Sequence, residues 1–170
     1  IPAKEGVIIG NVSFLKNWMF RGQSKNALSE IYIRNLKTNK EKQITVLKEK
    51  IENLGLSQCQ KDKNTDLIYL SVESPRIPIK TYLYNLKTNK KTLVKKQEIP
   101  SGYNQNNYIV ERLYCTAHDG EKIPITITRH KKTKLNEKTN LLLYGYGSYG
   151  ASTPTSFSTT RLSLIDRDIV

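Results

Sequence analysis

A mainly β chain that becomes partly α/β near its end is the fold class predicted by the sequence, on three observations. The hexapeptide NLKTNK occurs at 35–40 and again at 85–90, each time between segments of strand-like alternation. That pattern stops near residue 102. Further on, the apolar run LLLYGYG at 141–147 precedes a stretch with helical periodicity. The repeat speaks for one antiparallel unit used about twice over 1–102, and the later pattern for the beginning of a different, incomplete unit over 103–170.

Each repeat reads as a hairpin. In IYIRNL, Ile31 and Ile33 point one way and Tyr32 and Arg34 the other, the period of a half-buried strand. KTNK is rich in turn formers, Asn39 can take the left-handed conformation cheaply, and QITV returns. TYLYNL, Asn89 and KTLV repeat this order. Upstream, NWMFRG and LIYLSV align at the same fifty-residue offset, so the unit has at least three strands, with QSKNALSE and ESPRIPIK as polar loops between them. A multi-strand period near fifty suits a β-propeller blade. No helix is expected before residue 100.

After EIPSGYNQNN, the segment YIVERLYCTA reads as a strand, HDGEK as an Asp-Gly hairpin turn and IPITITR as its partner. HKKTKLNEKTN is a polar connection. LLLYGYG is expected to be a strand buried on both faces of a mixed sheet. In FSTTRLSLIDR, Leu162, Ile165 and Phe157 share a helical face, with Ser156 or Ser158 as N-cap, and DIV would start another strand.

Twenty-eight Lys and Arg stand against 15 Asp and Glu, a formal charge of +13. The lysines are scattered through turns instead of forming a stripe or a block interleaved with aromatics, so neither nucleic acid nor a membrane is expected as a partner. Cys59 and Cys115 have neither disulfide nor zinc spacing; buried free thiols in a reducing, cytoplasmic compartment are expected. The apolar runs are too short to span a bilayer, IPAKEGVIIG has no signal-peptide core, and both ends read as cut. No metal or other cofactor is expected.

Three readings compete for YGYGSYGA, Tyr144 to Ala151. Gly145, Gly147 and Gly150 match G-x-G-x-x-G, but a dinucleotide loop opens directly into a helix, and here the helical pattern starts only after Pro154. A nucleophile elbow needs Gly two residues before Ser148, where Tyr146 stands, and His118 and His130 read as surface histidines in loops or turns. The third reading is an oxyanion loop following the third strand of an α/β-hydrolase sheet, where a tyrosine hydroxyl can donate to the developing oxyanion. On position alone, Tyr146 as donor and Tyr146 as packing residue both stay open.

The run DGEKIPITI…LLLYGYGSYGAS…FSTTRLSLIDRDIV resembles the prolyl oligopeptidase family of serine peptidases, with oligopeptidase B as its closest branch. The resemblance implies the last blades of a β-propeller over 1–102 and the first strands and helix of an α/β-hydrolase catalytic domain over 103–170. It implies hydrolysis of short peptides, after Arg or Lys, by a Ser–His–Asp triad outside these residues. It makes Tyr146 the oxyanion-hole donor, Tyr149 a substrate-binding aromatic near the P1 side chain, and Ser148 not the nucleophile. It sets glycine where Asp168 ends the helix. The expected partners are short peptides and, in a split enzyme, the rest of the catalytic domain as a separate chain. The rival readings are an inactive truncated remnant and a stand-alone β-rich binding module.

Overall fold

The computed structural model describes all residues except Lys48, Gln60 and Asp62. The first antiparallel meander is β1 (Val7–Leu15), β2 (Trp18–Lys25), β3 (Leu28–Asn35) and β4 (Glu41–Ile44). The second is β5 (Asn53–Gln58), β6 (Leu67–Ser74), β7 (Ile77–Asn85) and β8 (Lys91–Lys96). The repeated unit therefore has four strands.

The segments expected to be polar loops are strand ends joined by tight turns. Asn26 and Ala27, at φ +49° and +57°, form a two-residue turn between Lys25 and Leu28. Positive φ at both central positions matches the twist of flanking strands, so the hairpin can run to its tip. In the second sheet, Ser74 already faces Ile77 across Pro75 and Arg76. The upstream alignment is one residue out, because Trp18 faces Asn35 whereas Leu67 faces Asn85. An irregularity between the pairs Val72–Lys80 and Ser74–Ile77 puts one extra residue into β7. Pro78, which has no N–H to donate, lies in that stretch.

The two NLKTNK turns share one hydrogen-bond pattern. Asn35 Oδ1 accepts from the N–H groups of Lys37 and Thr38 at 2.9 and 3.1 Å, and Asn85 Oδ1 from those of Lys87 and Thr88, both at 3.0 Å. The backbone closes from Asn35 N to Lys40 O and from Asn85 N to Lys90 O. Asn39 and Asn89 take φ of +56° and +61°. This left-handed conformation is the one Asn tolerates better than most residues.

The sheets pack face to face. Leu15, Phe20, Ile31, Ile33 and Ile44 from the first sheet and its turns meet Ile68, Leu70, Tyr84 and Leu86 from the second. Alternation along each strand turns these apolar positions to one face, and burial of each such side chain contributes about 1.5–3 kcal/mol. A polar clasp closes one end of the contact. Asp66 accepts from Trp18 Nε1 at 2.8 Å and from Lys16 Nζ at 2.9 Å, and both hydrogen bonds lower its pKa.

Beyond the two meanders, a short 3-10 turn at Gln105–Asn107 leads into β9 (Tyr108–Thr116), which pairs antiparallel with β10 (Lys122–His130). Gly120, at φ +88°, supplies the left-handed residue of the turn between them. Helix α1 (Thr159–Ile165) is capped by the Ser158 hydroxyl, which accepts from Arg161 N at 3.3 Å. Phe157, Leu162 and Ile165 are buried against Tyr108. The helix ends with Asp168 N donating to Ile165 O and Ile169 N to Leu164 O, and Asp168 sits at φ +61°. Glycine usually takes that place. Here the Thr133 hydroxyl donates to Asp168 Oδ1 at 2.8 Å, a hydrogen bond available only with the larger residue.

The expected buried strand at 141–147 is not formed. Leu143 and Tyr144 are 77% and 75% exposed, and no sheet encloses them. A strand buried on both faces needs neighbours along both edges and a layer on each side. Here one parallel rung exists: Leu142 N donates to Val170 O at 2.8 Å and Val170 N to Asn140 O at 2.9 Å. The thiols also depart from expectation, since Cys115 is exposed and Cys59 half-buried with its Sγ donating to Leu67 O.

Candidate functional site

The Gly-rich segment crosses from the extended stretch at 140–142 to the connection leading into α1. Gly147 to Ala151 form one tight turn, closed by Ala151 N donating to Ser148 O at 3.1 Å. Tyr149 occupies φ +56° within it and is 98% exposed. A bulky aromatic in the left-handed region is strained, typically by about 1–3 kcal/mol. Tyr146 is 55% exposed. Among the described residues, no hydrogen bond or ring contact joins Tyr146 to Tyr149, and none joins Ser148 to a histidine. His118 is exposed in the β9–β10 turn. His130 is not in a loop: it ends β10, half-buried, edge-on to Tyr108 at 5.7 Å.

The helix that follows the loop is fixed against an aromatic stack. The rings of Tyr103 and Tyr108 lie parallel at 5.1 Å, and Phe157 meets Tyr103 edge-on at 5.4 Å. Tyr108 donates to Asp166 Oδ1 at 2.8 Å, and burial followed by that carboxylate pushes the Tyr108 pKa up to about 12. Burial likewise raises that of Tyr103.

The same cluster touches the second meander at the β6–β7 turn. Tyr103 Oη donates to Arg76 O at 2.6 Å, and Arg76 pairs with Glu49 and reaches Gln105 O at 3.4 Å. Glu73 Oε2 accepts from Phe157 N at 3.0 Å. An open cleft beside this seam is lined by Glu49, Arg76, Tyr108 and Arg112, among others. Neither Tyr146 nor Tyr149 borders it. Of these seam residues the sequence reading singles out Phe157 alone, as part of the apolar face of the helix. Glu73 leaves one local sign, an acidic residue next to the end of a strand rich in Ile, Leu and Val.

Among the described residues, no group of three or more His, Cys, Asp or Glu stands where it could hold a metal ion. No helix among them is long and apolar enough to cross a membrane.

The family model for the prolyl oligopeptidase N-terminal β-propeller domain matches residues 1–97. The chain belongs to the prolyl oligopeptidase family. Dipeptidyl aminopeptidase BI of Pseudoxanthomonas mexicana is 32% identical over the whole chain, which covers 23% of that protein. Protease 2 of Moraxella lacunata is 31% identical over 63% of the chain and 16% of its own length. Oligopeptidase B from Leishmania major superposes with a TM-score of 0.86 at 25% identity, over 98% of this chain and 24% of that one. Oligopeptidase B from Trypanosoma brucei, in a closed form with covalently bound antipain, gives a TM-score of 0.90 over 99% of this chain and 25% of that one. At 24% identity, this second likeness speaks for the fold. The chain thus spans about a quarter of the length of the relatives it matches. The two four-stranded meanders are blades of the family's propeller domain.

Proposed function

We propose that this chain is part of a serine oligopeptidase that hydrolyses peptide bonds in short peptides after Arg or Lys. The propeller occupies residues 1–102 and residues 103–170 open an α/β-hydrolase catalytic domain. The observation that carries this reading is the parallel rung between Leu141 and Val170 across the Gly-rich loop and α1. Extended segment, loop, helix and a parallel extended segment follow in the order of a crossover unit. In α/β-hydrolases a loop at the end of such a strand supplies an oxyanion donor.

The triad serine, outside these 170 residues, attacks the scissile carbonyl, and the Tyr146 hydroxyl donates to the oxyanion of the tetrahedral intermediate. One such donor contributes about 3–4 kcal/mol to the transition state. Tyr149 lines the subsite for the P1 side chain, and its near-complete exposure leaves it open to that role. The blades restrict entry by size. Free thiols at Cys59 and Cys115 suit a cytoplasmic location. The preference for Arg or Lys rests on the resemblance to oligopeptidase B, because the relatives' names span a dipeptidyl aminopeptidase and prolyl endopeptidases as well.

A fluorophosphonate probe tests the assignment. The full-length protein takes up label at a serine other than Ser148, and a polypeptide of residues 1–170 takes up none. Labelling that disappears in Ser148→Ala overturns the reading of the loop, and a full-length protein that stays unlabelled overturns the peptidase.

A further inference from the structure

We infer that Glu73 is a positioning residue that sets the Gly-rich loop from the propeller side. This inference rests on the proposed role of Tyr146. Glu73 is the penultimate residue of β6. Its neighbours Val72 and Ser74 are fully buried, so strand alternation turns Glu73 to the opposite face. Its carboxylate is held at both oxygens. Oε1 accepts from Asn53 Nδ2 at 3.0 Å, and Asn53 is its direct cross-strand partner on β5. Oε2 accepts from the backbone N–H of Phe157 at 3.0 Å, across 84 residues of sequence.

Phe157 immediately precedes the N-cap of α1, and the residue is 9% exposed, packed in the Tyr108–Leu162–Ile165 cluster. Side chain and backbone of this residue are therefore fixed to two different bodies, the ring to the cluster around β9 and the N–H to the second blade. Residues 151–158 form neither helix nor strand. Whatever fixes Phe157 fixes the downstream end of the loop that carries Tyr146 and Tyr149. A hydrogen bond to a carboxylate is directional and stronger than one between neutral groups, so it sets an orientation as well as a distance. Glu73 thereby couples propeller position to oxyanion geometry, alongside the Tyr103–Arg76 hydrogen bond that ties the same cluster to the second blade. Removing the acceptor releases the loop end, and a displacement of about 1 Å at a reacting group can cost about a hundredfold in rate.

The test is steady-state kinetics of the full-length protein on a fluorogenic peptide with Arg at P1. Glu73→Ala lowers kcat about tenfold or more, because the Tyr146 contact to the oxyanion is made in the transition state, and raises KM by a smaller factor through Tyr149 on the same loop. Glu73→Gln, which keeps an acceptor oxygen, restores most of that loss. In a Tyr146→Phe background, Glu73→Ala lowers kcat no further. If Tyr146→Phe lowers kcat while Glu73→Ala leaves it unchanged, the positioning role is overturned and the oxyanion assignment stands. If Tyr146→Phe leaves kcat unchanged, or the unmodified enzyme does not turn over, the assignment itself falls and this inference with it. A Glu73→Gln variant as impaired as Glu73→Ala, or an Ala variant whose lost activity tracks a lowered melting temperature, also overturns it.

Discussion

Leu36 and Leu86 hold the same place in the two copies of NLKTNK, yet Leu86 is 1% exposed and Leu36 47%. Their backbones do the same thing: Leu36 N donates to Asn17 O at 2.7 Å and Leu86 N to Asp66 O at 2.9 Å. The difference lies in what each turn faces. Leu86 packs into the seam between the two sheets. Leu36 has no sheet on its side among the described residues. A turn is closed by its own six residues, whereas burial is conferred by the next unit of the stack. That is the energetic logic of repeat architectures, in which each unit leans on its neighbours.

The largest test of this comparison is at the leucines. Leu86→Ala in the full-length protein costs about 2–5 kcal/mol by urea unfolding, the range for deleting a buried leucine side chain. The propeller reading expects Leu36→Ala to cost a similar amount, since a further blade would cover it. A loss below about 1 kcal/mol there breaks that expectation.

The paired asparagines sharpen the comparison at smaller scale. Asn39 and Asn89 share a left-handed backbone, but Asn89 Oδ1 also accepts from Tyr84 Oη at 2.8 Å and from Lys42 of the first blade. Glycine accepts positive φ without strain and forfeits the side-chain bonds. Asn39→Gly therefore stays within about 0.5 kcal/mol of the parent, whereas Asn89→Gly loses about 1 kcal/mol. Equal losses in thermal melts would show that the inter-blade bonds contribute nothing.

The smallest effect is the clasp at Asp66, whose counterpart in the first copy is the uncharged Asn17. The Trp18 and Lys16 hydrogen bonds hold the Asp66 carboxyl below its ordinary value of 3.8. A folded-state pKa below the unfolded one adds stability above the unfolded value, and that contribution is lost as pH falls through the folded value. Asp66→Asn should lower stability at neutral pH by at most about 1 kcal/mol and flatten the decline below about pH 4. An unchanged acid limb in pH-dependent unfolding would rule out the clasp as its source.

Legibility followed the range of the interaction. The hairpins, the left-handed asparagines, an N-cap at Ser156 or Ser158 (the structure has Ser158) and the apolar face of α1 were readable because each depends on residues within a turn or two. The length of the β2–β3 and β6–β7 hairpins was misjudged: polar composition reads as loop, but Gln23, Ser24 and Lys25 are strand residues paired with Glu30, Ser29 and Leu28. The bulge in β7 broke the fifty-residue alignment by one position and left no clear mark beyond Pro78. Within the candidate site, Tyr146 and Tyr149 stood out by motif, whereas Glu73, Arg76 and Tyr103 did not. Their roles come from contacts that join residues 27 to 84 positions apart.

By itself, the sequence determined which segments alternate, where the chain reverses and which family's words it uses, because period, turn chemistry and capping are encoded in neighbouring residues. The tertiary structure alone decided that Leu86 is core while Leu36 is surface, that LLLYGYG stays open with a single parallel rung to Val170, and that a blade glutamate holds the backbone before α1. Burial and long-range hydrogen bonds depend on which surfaces meet, and no local pattern specifies that meeting.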